Sequence, residues 1–257
     1  MTMIDVPMIG AELRRWRENR TLSQLALASR ADVSTRHLSY VETGKSQPTP
    51  QMILRLADAL DVPMDEQNRL LLLGGFAPRH PASDLDHENL SSVMASLRDL
   101  LDAHDPYPAL LLDDQWNIVD ANRAADALLV GCDSDLLEPP VNVLRLALHH
   151  RGMAPRIRNL ATWRAHLLHQ LAQRIRRRGD DPQLHALQDE VSAYPGGAGS
   201  AGRPVDPAVL LELDTDGGPL RFFSVATRIE EPNDVTLDAL HLETFLPADE
   251  ETRRRLG

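Results

Sequence analysis

The apolar positions in the first part of the chain recur at helical spacing in five short segments. In the first segment, Ile9, Leu13 and Trp16 fall on one face, and arginines surround them. Two more segments follow directly. The last two begin at Pro50 and Pro63, and proline favours the first turn of a helix. The pattern therefore predicts an all-α bundle of five helices joined by short loops.

Residues 23–44 are typical of two short helices joined by a tight turn. Ser23 and Ser34 are each placed to cap a helix N-terminus, and Asp32 falls in the turn between the helices. Gly44 is expected to end the second helix, since glycine readily takes the left-handed conformation found there. Two helices so short and so close predict a helix-turn-helix. The residues expected on the apolar faces are Leu25, Ala26, Ala28, Leu38 and Val41.

These residues resemble the phage-repressor-like XRE family of DNA-binding domains, whose fold is the lambda-repressor-like helical bundle. The positions that match the family pattern are Gln24, Ala28, Val33, Ser34, Leu38, Ser39, Glu42 and Gly44. The departure is Asp32, where the family usually has glycine. Aspartate tolerates the left-handed backbone region better than most residues, so we expect the turn to be kept.

The second helix of the motif is expected to present its exposed face to DNA. Thr35, Arg36 and Tyr40 lie on that face, and we predict that they read bases. A bidentate pair between an arginine such as Arg36 and guanine is a common specific contact. The XRE resemblance implies that Gln24 and Lys45 hold phosphates, which positions the protein without specifying sequence.

The charge distribution agrees with a local DNA surface rather than with bulk attraction. The chain is acidic, with 27 Lys and Arg against 38 Asp and Glu. Between Arg14 and Lys45, however, there are seven basic residues and three acids. We therefore expect salt-dependent binding through this surface alone. The XRE resemblance also implies that Arg17 and Glu42 form a structural ion pair.

The second part of the chain opens with a helical pattern over residues 90–104. An apolar run at residues 109–112 and a second run at residues 116–119 flank the turn residues Asp113 and Asp114, which predicts a β-hairpin. A helix is then expected to begin near Asn122. This order of elements resembles the opening of a PAS-type sensor domain.

The pattern of the residues that follow the hairpin predicts an α+β domain. Residues 142–193 have helical patterns, and three β-prone runs follow a Gly/Pro-rich loop, at residues 209–215, 220–229 and 237–249. With the hairpin, these runs would form a five-stranded antiparallel sheet with one face covered by helices.

Taken together, the two halves resemble the MmyB-like transcriptional regulators. The resemblance implies a regulator with a DNA-binding domain at residues 1–76, a linker at residues 77–89 and a PAS-like ligand-binding domain at residues 90–257. It also implies a small-molecule ligand, with fatty-acid-like molecules as one suggested class. On this basis we expect a homodimer that binds a double-stranded DNA operator.

Five residues are candidates for ligand contact. Arg145 lies in a motif that matches the family and could anchor an anionic head group. The residues that could line the same cavity are Trp116, Asn122, Trp163 and Phe222. The alternative is that the aromatic residues are ordinary core and that Asn122 caps a helix.

Several classes of function are not supported by the sequence. There is no nucleophile elbow, P-loop or dinucleotide glycine fingerprint, so we expect neither an enzyme nor a cofactor. His149, His150, His166 and His169 lack a convincing further ligand, and no metal site is expected. An antitoxin-like repressor, or one whose C-terminal domain binds a protein partner, stays open as an alternative.

The expected compartment is the cytoplasm. A single cysteine, Cys132, excludes an intramolecular disulfide framework and fits reducing conditions. No window has the apolar length of a membrane span, and the first residues lack a signal-peptide profile, so no membrane association is expected.

Overall fold

The computed structural model describes residues 9–179, 181–196 and 208–257, which form two compact units. The first unit takes in the described parts of residues 1–82, 173–181 and 232–238. The second takes in the described parts of residues 83–172, 182–231 and 239–257. Residues 197–207 of the predicted Gly/Pro-rich loop lie outside the described residues.

Five helices form the bundle of the first unit, as the apolar pattern predicted. They are α1 (Ile9–Asn19), α2 (Gln24–Arg30), α3 (Thr35–Glu42), α4 (Pro50–Ala59) and α5 (Met64–Leu73). Leu13, Trp16 and Leu56 are fully buried in its core. The expectation for α2 was wrong in one respect, because Leu25 is 69% exposed and Leu27 is buried instead. The helix turns Leu27 and Ala28, rather than Leu25, into the core of the bundle.

The predicted caps and turns of the helix-turn-helix are confirmed. The Ser23 hydroxyl accepts a hydrogen bond from the Ala26 amide, and the Ser34 hydroxyl accepts one from the His37 amide, each at 3.1 Å. Asp32 takes the left-handed conformation with φ of 50°. Gly44 follows α3 with φ of 71°, where a side chain would be strained.

One close contact between α1 and α3 was not foreseen. A Cβ atom at Gly10 would lie 2.1 Å from the carbonyl oxygen of Val41. Only glycine therefore lets the backbones of α1 and α3 approach to this distance, and that approach fixes where α3 lies in the bundle.

The helices that follow the bundle vary more in length, from 4 to 18 residues. They are α6 (Ser91–Ala103), α7 (Asp126–Leu129), α8 (Val143–Leu148), α9 (Leu160–Arg177), α10 (Pro182–Ala193), α11 (Val235–Ala239) and α12 (Glu250–Leu256). None of the helices in the described ranges has the length and apolar character needed to cross a membrane.

The last residues of α9 belong to the first unit and are capped there by arginines of the bundle. Arg20 donates to the carbonyl oxygens of Arg176 and Arg177, at 2.5 and 2.8 Å, and Arg15 donates to that of Gly179 at 2.5 Å. The final carbonyls of a helix lack partners within the helix, so these side chains supply them.

A five-stranded antiparallel sheet forms the second unit, as predicted. Its strands are β1 (Ala109–Leu112), β2 (Ile118–Ala121), β3 (Leu211–Leu213), β4 (Leu220–Arg228) and β5 (His241–Pro247), in the spatial order β2-β1-β5-β4-β3. β5 lies at the centre and pairs with both β1 and β4. The first and last segments of the domain therefore meet in the middle of the sheet.

Two predicted strand boundaries were wrong. Trp116 belongs to the turn rather than to β2, because its φ of 67° is incompatible with extended backbone. The third β-prone run begins as a helix, since residues up to Ala239 form α11 and β5 starts only at His241.

Candidate functional site

The exposed face of α3 groups two cations around one aromatic ring. The Arg36 guanidinium lies 5.4 Å from the centre of the Tyr40 ring, and its Nε donates to the Tyr40 hydroxyl at 3.1 Å. The Lys45 ammonium lies 6.0 Å from the same ring. Thr35 is half-buried at the start of the helix, beside the exposed Arg36. The sequence-predicted base and phosphate candidates on α3 and just after it are therefore neighbours.

A buried ion pair holds α3 from the opposite side. Arg17 donates to both carboxylate oxygens of Glu42, at 2.6 and 2.8 Å, and the Glu42 side chain is only 1% exposed. This contact with Glu42 raises the pKa of Arg17. Arg17 also donates to the carbonyl oxygen of Leu22 at 2.8 Å. The pair therefore links α1, α3 and the loop before α2.

Gln24 forms a hydrogen bond with the same Glu42 carboxylate. Its Nε2 donates to Glu42 at 2.8 Å, so the carboxylate accepts from Gln24 and Arg17 together. An amide nitrogen carries two N–H groups, and one of them is used here. Gln24 is half-buried at the first position of α2.

The second unit contains a cavity of about 290 Å³ that is partly open to solvent. Its wall is built from eighteen apolar residues and two acids, contributed by all the strands except β4, by helices α7, α8 and α9, and by the loops between them. Such a volume is near the lower end of the range seen for small-molecule sites. An apolar wall of this kind fits an apolar ligand.

The turn between β1 and β2 places one aromatic side chain on this wall. Trp116 lines the cavity and is 4% exposed, although its positive φ is unusual for so large a residue. Asp113 accepts from the amides of Gln115 and Asn117, both at 2.8 Å. Asn142 donates to the carbonyl oxygen of Gln115 at 2.8 Å. The turn is thus held by side chains on both sides of Trp116.

Of the predicted ligand contacts, the cavity brings together Trp116 and Trp163. Phe222 is fully buried but is not a wall residue, and its ring packs edge-on against Phe245 at 6.2 Å. Asn122 is not a wall residue either. It is 1% exposed, caps the turn after β2 through Ala125, and accepts from the Ala109 amide at 3.0 Å. For Asn122 the alternative of a helix cap describes the geometry.

Arg145 also lies off the wall of this cavity, and its contact with an anionic head group stays a prediction. It donates from Nε and from a terminal nitrogen to Glu190, at 2.9 and 2.8 Å, and thereby ties α8 to α10. The contact raises the pKa of Arg145 and lowers that of Glu190. Tyr194 donates to the same carboxylate, and burial together with this bond raises the pKa of Tyr194 to about 12.

The wall also contains two residues that sequence reasoning missed, Glu243 and Asp126. Glu243 lies in the central strand β5 and is only 7% exposed, whereas Asp126 at the start of α7 is exposed. An acid inside an otherwise apolar strand is the signal that could have found Glu243, since acids are rarely buried in a strand without a specific reason.

The histidines of the second unit have other neighbours. The rings of His149 and His150 lie 4.3 Å apart, and His166 is 2.9 Å from the Gln170 amide nitrogen. Across the described ranges of the chain, no three His, Cys, Asp or Glu side chains are grouped so that they could hold a metal ion.

The bundle and the cavity define a helix-turn-helix DNA-binding protein with a separate ligand-binding domain. A family model for a helix-turn-helix domain matches residues 9–70. The model of the MmyB-like transcription regulator ligand binding domain matches residues 93–257, which is more than half of the chain. The chain therefore belongs to the MmyB-like transcription regulators. No curated protein matches it.

Proposed function

We propose that this protein regulates transcription by binding a specific DNA operator through α3 and by responding to a small apolar ligand in the cavity. In this proposal the first unit acts as an XRE-type domain and the second as a PAS-like sensor. The main support for DNA binding is the exposed cluster of Arg36, Tyr40 and Lys45 on α3 and just after it. The buried Arg17–Glu42 pair fixes the opposite face of this helix.

The proposed base contacts are Thr35, Arg36 and Tyr40. All three lie on α3, and the N-terminal part of such a helix is the part that reaches base edges in the major groove. The Tyr40 hydroxyl and ring hold the Arg36 side chain over the helix face. A guanidinium that is already oriented loses less conformational freedom when it pairs with guanine.

Gln24 and Lys45 are the proposed phosphate contacts. Gln24 keeps its second amide N–H beyond the one that it donates to Glu42, and it lies at the N-terminus of α2, where backbone amides favour anions. Lys45 is exposed just beyond α3. These contacts would supply affinity and salt dependence but not sequence preference.

We propose a homodimer that reads an inverted repeat. Two copies of α3 would then enter successive major grooves about 34 Å apart, which is one helical turn of DNA. A ligand changes DNA affinity only as far as it binds one arrangement of the dimer more tightly than another. The cavity is the proposed place of that differential binding.

The DNA half is tested with the upstream region of the protein's own gene as probe. We expect Arg36→Ala to weaken binding by about 1–3 kcal/mol and to relax sequence preference at one position. Tyr40→Ala should weaken binding less, through loss of the Arg36 support. Lys45→Ala should weaken binding to all DNA sequences. It should also reduce the slope of log Kd against log salt concentration by about the amount expected for one phosphate contact.

Arg254→Ala is the matched control, because it removes one exposed arginine from α12 in the second unit. Binding titrations of the four variants at two salt concentrations separate the possibilities. Tight binding that is unchanged in Arg36→Ala and Tyr40→Ala would place the DNA surface elsewhere and reject this half of the proposal.

The alternative of a repressor controlled by a protein partner receives less support. A protein partner needs a broad exposed surface, whereas the most distinctive feature of the second unit is a concave apolar cavity, with exposed residues on its wall only at positions such as Asp126 and Pro139. Mass spectrometry of the purified protein under native conditions distinguishes the two. A bound small molecule favours the ligand proposal, and a stoichiometric protein partner favours the alternative.

A further inference from the structure

A polar cleft of about 570 Å³ lies in the first unit, beside the end of α9. It is lined by residues 19–21 of the loop after α1, by Asp61 after α4, and by Gln173, Arg176 and Arg177 of α9. Three of the lining residues are arginines, and only Asp61 is an acid, so the lining is positively charged. Such an excess of positive charge on a concave surface favours an anionic partner.

Arg20 holds the end of α9 at this cleft. It donates to the carbonyl oxygens of Leu60 and Asp61, at 2.8 and 3.1 Å, as well as to those of Arg176 and Arg177. A guanidinium has five N–H groups, and these bonds use four of them. Arg20 is therefore a positioning residue, which brings the side chains of Arg176 and Arg177 to the loop after α1.

Two further contacts fix the same end of α9 in the first unit. A Cβ atom at Gly179 would lie 2.5 Å from the Trp16 ring, so only glycine lets the chain approach the ring this closely. Arg178 forms an ion pair with Asp65 of α5, and its side chain is 11% exposed. The end of α9 thus uses one arginine for packing, whereas Arg176 and Arg177 are exposed.

Arg176 and Arg177 have no carboxylate partner within the part of the chain that the structure describes. The chain has 38 acids for 27 Lys and Arg, so a cation without an acid is available to a partner. Among the described side chains, Arg36 and Lys45 on the proposed DNA surface share this property. The arginines of the first unit that do pair with acids are Arg14, Arg15, Arg17, Arg69 and Arg178.

The cleft lies close to a proposed phosphate contact. Thr21 lines it, and Gln24 follows three residues later at the start of α2. Three residues of chain span at most about 11 Å. Each strand of DNA carries a phosphate about every 3.4 Å along the helix axis. A strand held at Gln24 therefore brings neighbouring phosphates within reach of the cleft.

We propose that Arg176 and Arg177 bind backbone phosphates of the operator and extend the DNA surface beyond the helix-turn-helix. Both residues lie outside residues 9–70, which match the helix-turn-helix model, and inside the match to the ligand-binding domain. Arginine suits this partner because its planar guanidinium can donate two parallel hydrogen bonds to a phosphate. The inference rests on the proposed DNA binding and adds a distant segment of the chain to it.

The test measures binding of the whole chain to the upstream DNA by fluorescence anisotropy over a series of salt concentrations. We expect the double variant Arg176→Ala and Arg177→Ala to bind about tenfold more weakly, or worse, at about 0.1 M salt. The slope of log Kd against log salt concentration should fall by about two, one for each lost phosphate contact. DNA of unrelated sequence should lose affinity to the same extent, since phosphate contacts do not specify bases.

The matched control is the double variant Arg253→Ala and Arg254→Ala, which removes two exposed arginines from α12 in the second unit. It should leave the slope unchanged. Arg176→Lys with Arg177→Lys keeps both charges and should restore most of the slope. If the double alanine variant does not fold, Arg176→Gln with Arg177→Gln removes the charges and keeps long side chains.

A free anion is the other source of the same chemistry. Inorganic phosphate is therefore titrated into the protein without DNA and followed by calorimetry. Phosphate binding that the double alanine variant abolishes, together with an unchanged DNA affinity in that variant, would assign the cleft to a free anion and overturn the inference.

The remaining outcomes separate this inference from the proposed function. Wild-type affinity and slope in the double alanine variant, while Arg36→Ala still weakens binding, would overturn the inference alone. Unchanged binding in both variants would reject both proposals. An equal loss of slope in the α12 control would show that the total charge of the protein, rather than the cleft, is responsible, which also overturns the inference.

Discussion

The apolar side chains of the two units pack differently: those of the first unit fill its core, and those of the second surround a cavity. In the first, Trp16, Leu13 and Leu56 fill the space between the five helices, and the close approach at Gly10 leaves α1 and α3 in backbone contact. In the second, an equally apolar set of side chains surrounds a space of about 290 Å³. A filled core holds α3 and its DNA-reading residues in one position. A hollow core leaves stability to be gained from a ligand.

The units also differ in how they treat buried charge. In the first, Glu42 accepts hydrogen bonds from Arg17 and Gln24, and Glu12 is paired with Arg15 and Arg69. In the second, the ion pair that joins α8 to α10, between Arg145 and Glu190, has side chains that are 40% and 38% exposed. The bundle therefore buries the ion pair that organises it, whereas this pair of the second unit stays open to solvent.

The largest effect is expected from the buried ion pair. Glu42→Ala leaves the Arg17 guanidinium, only 10% exposed, with the more distant Glu18 carboxylate at 3.7 Å in place of its buried partner, and should lower the free energy of unfolding by about 3–5 kcal/mol. Arg14 and Glu18 form an exposed pair on the same helix, so Glu18→Ala is the matched control and should cost less than about 1 kcal/mol. Urea unfolding followed by circular dichroism measures both. Equal effects would mean that the buried pair does not organise the bundle.

The close approach of α1 and α3 gives the next effect. Gly10→Ala puts a methyl group 2.1 Å from the Val41 carbonyl oxygen, so the two helices must separate, and we expect a loss of about 3 kcal/mol. Gly217→Ala serves as control, because a Cβ there would meet only the Thr215 hydroxyl at 3.8 Å. Thermal unfolding of both variants tests this. A Gly10→Ala protein with wild-type Tm would show that α1 and α3 are not in fixed contact.

An alanine-to-leucine substitution in each unit distinguishes a filled core from one that contains a cavity. Ala57→Leu adds volume to the filled core and should destabilise by about 1–3 kcal/mol, whereas Ala147→Leu adds the same volume beside the cavity and should change stability by less than about 1 kcal/mol. Urea unfolding midpoints of the two variants, measured without ligand, decide the matter. Similar losses in both would contradict a hollow second unit.

The smallest expected effect is one of pH on the first unit. Burial lowers the pKa of His80, whose Nε2 is 2.9 Å from the Gln67 amide oxygen. A histidine whose pKa is lowered in the folded state stabilises the protein at pH values above its ordinary pKa of 6.5. This contribution is lost as the pH falls from 6.5 through the lowered pKa of the folded state. Unfolding between pH 7.5 and 5.5 should therefore show a shallower loss of stability in His80→Gln than in wild type. An identical slope in both would reject this role for His80.

Local signals made the first unit largely predictable from sequence. The caps Ser23 and Ser34, the left-handed Asp32 and the terminating Gly44 each depend on residues a few positions apart, and all are found where they were expected. The contact that escaped prediction is the one at Gly10. It depends on how closely two separate helices pack, which no spacing within either helix reveals.

The second unit was predictable in its strands but not in its cavity. The wall draws on segments from Leu110 to Phe245, and whether apolar side chains fill or surround a space depends on packing between distant elements. For the same reason the ion pair of Arg145 was not predicted, because its partner Glu190 comes from a helix 45 residues later. Sequence pattern identified apolar residues without showing which of them face one another.

The most direct test of the account is whether occupancy of the cavity changes DNA binding. The Kd for the upstream DNA is measured by fluorescence anisotropy for the wild type and for Ala147→Leu, with and without saturating dodecanol. If the cavity controls DNA binding, dodecanol shifts the wild-type Kd and leaves that of Ala147→Leu unchanged. If dodecanol binds the wild type in the cavity and its DNA affinity stays the same, the claim that the cavity controls DNA binding is contradicted.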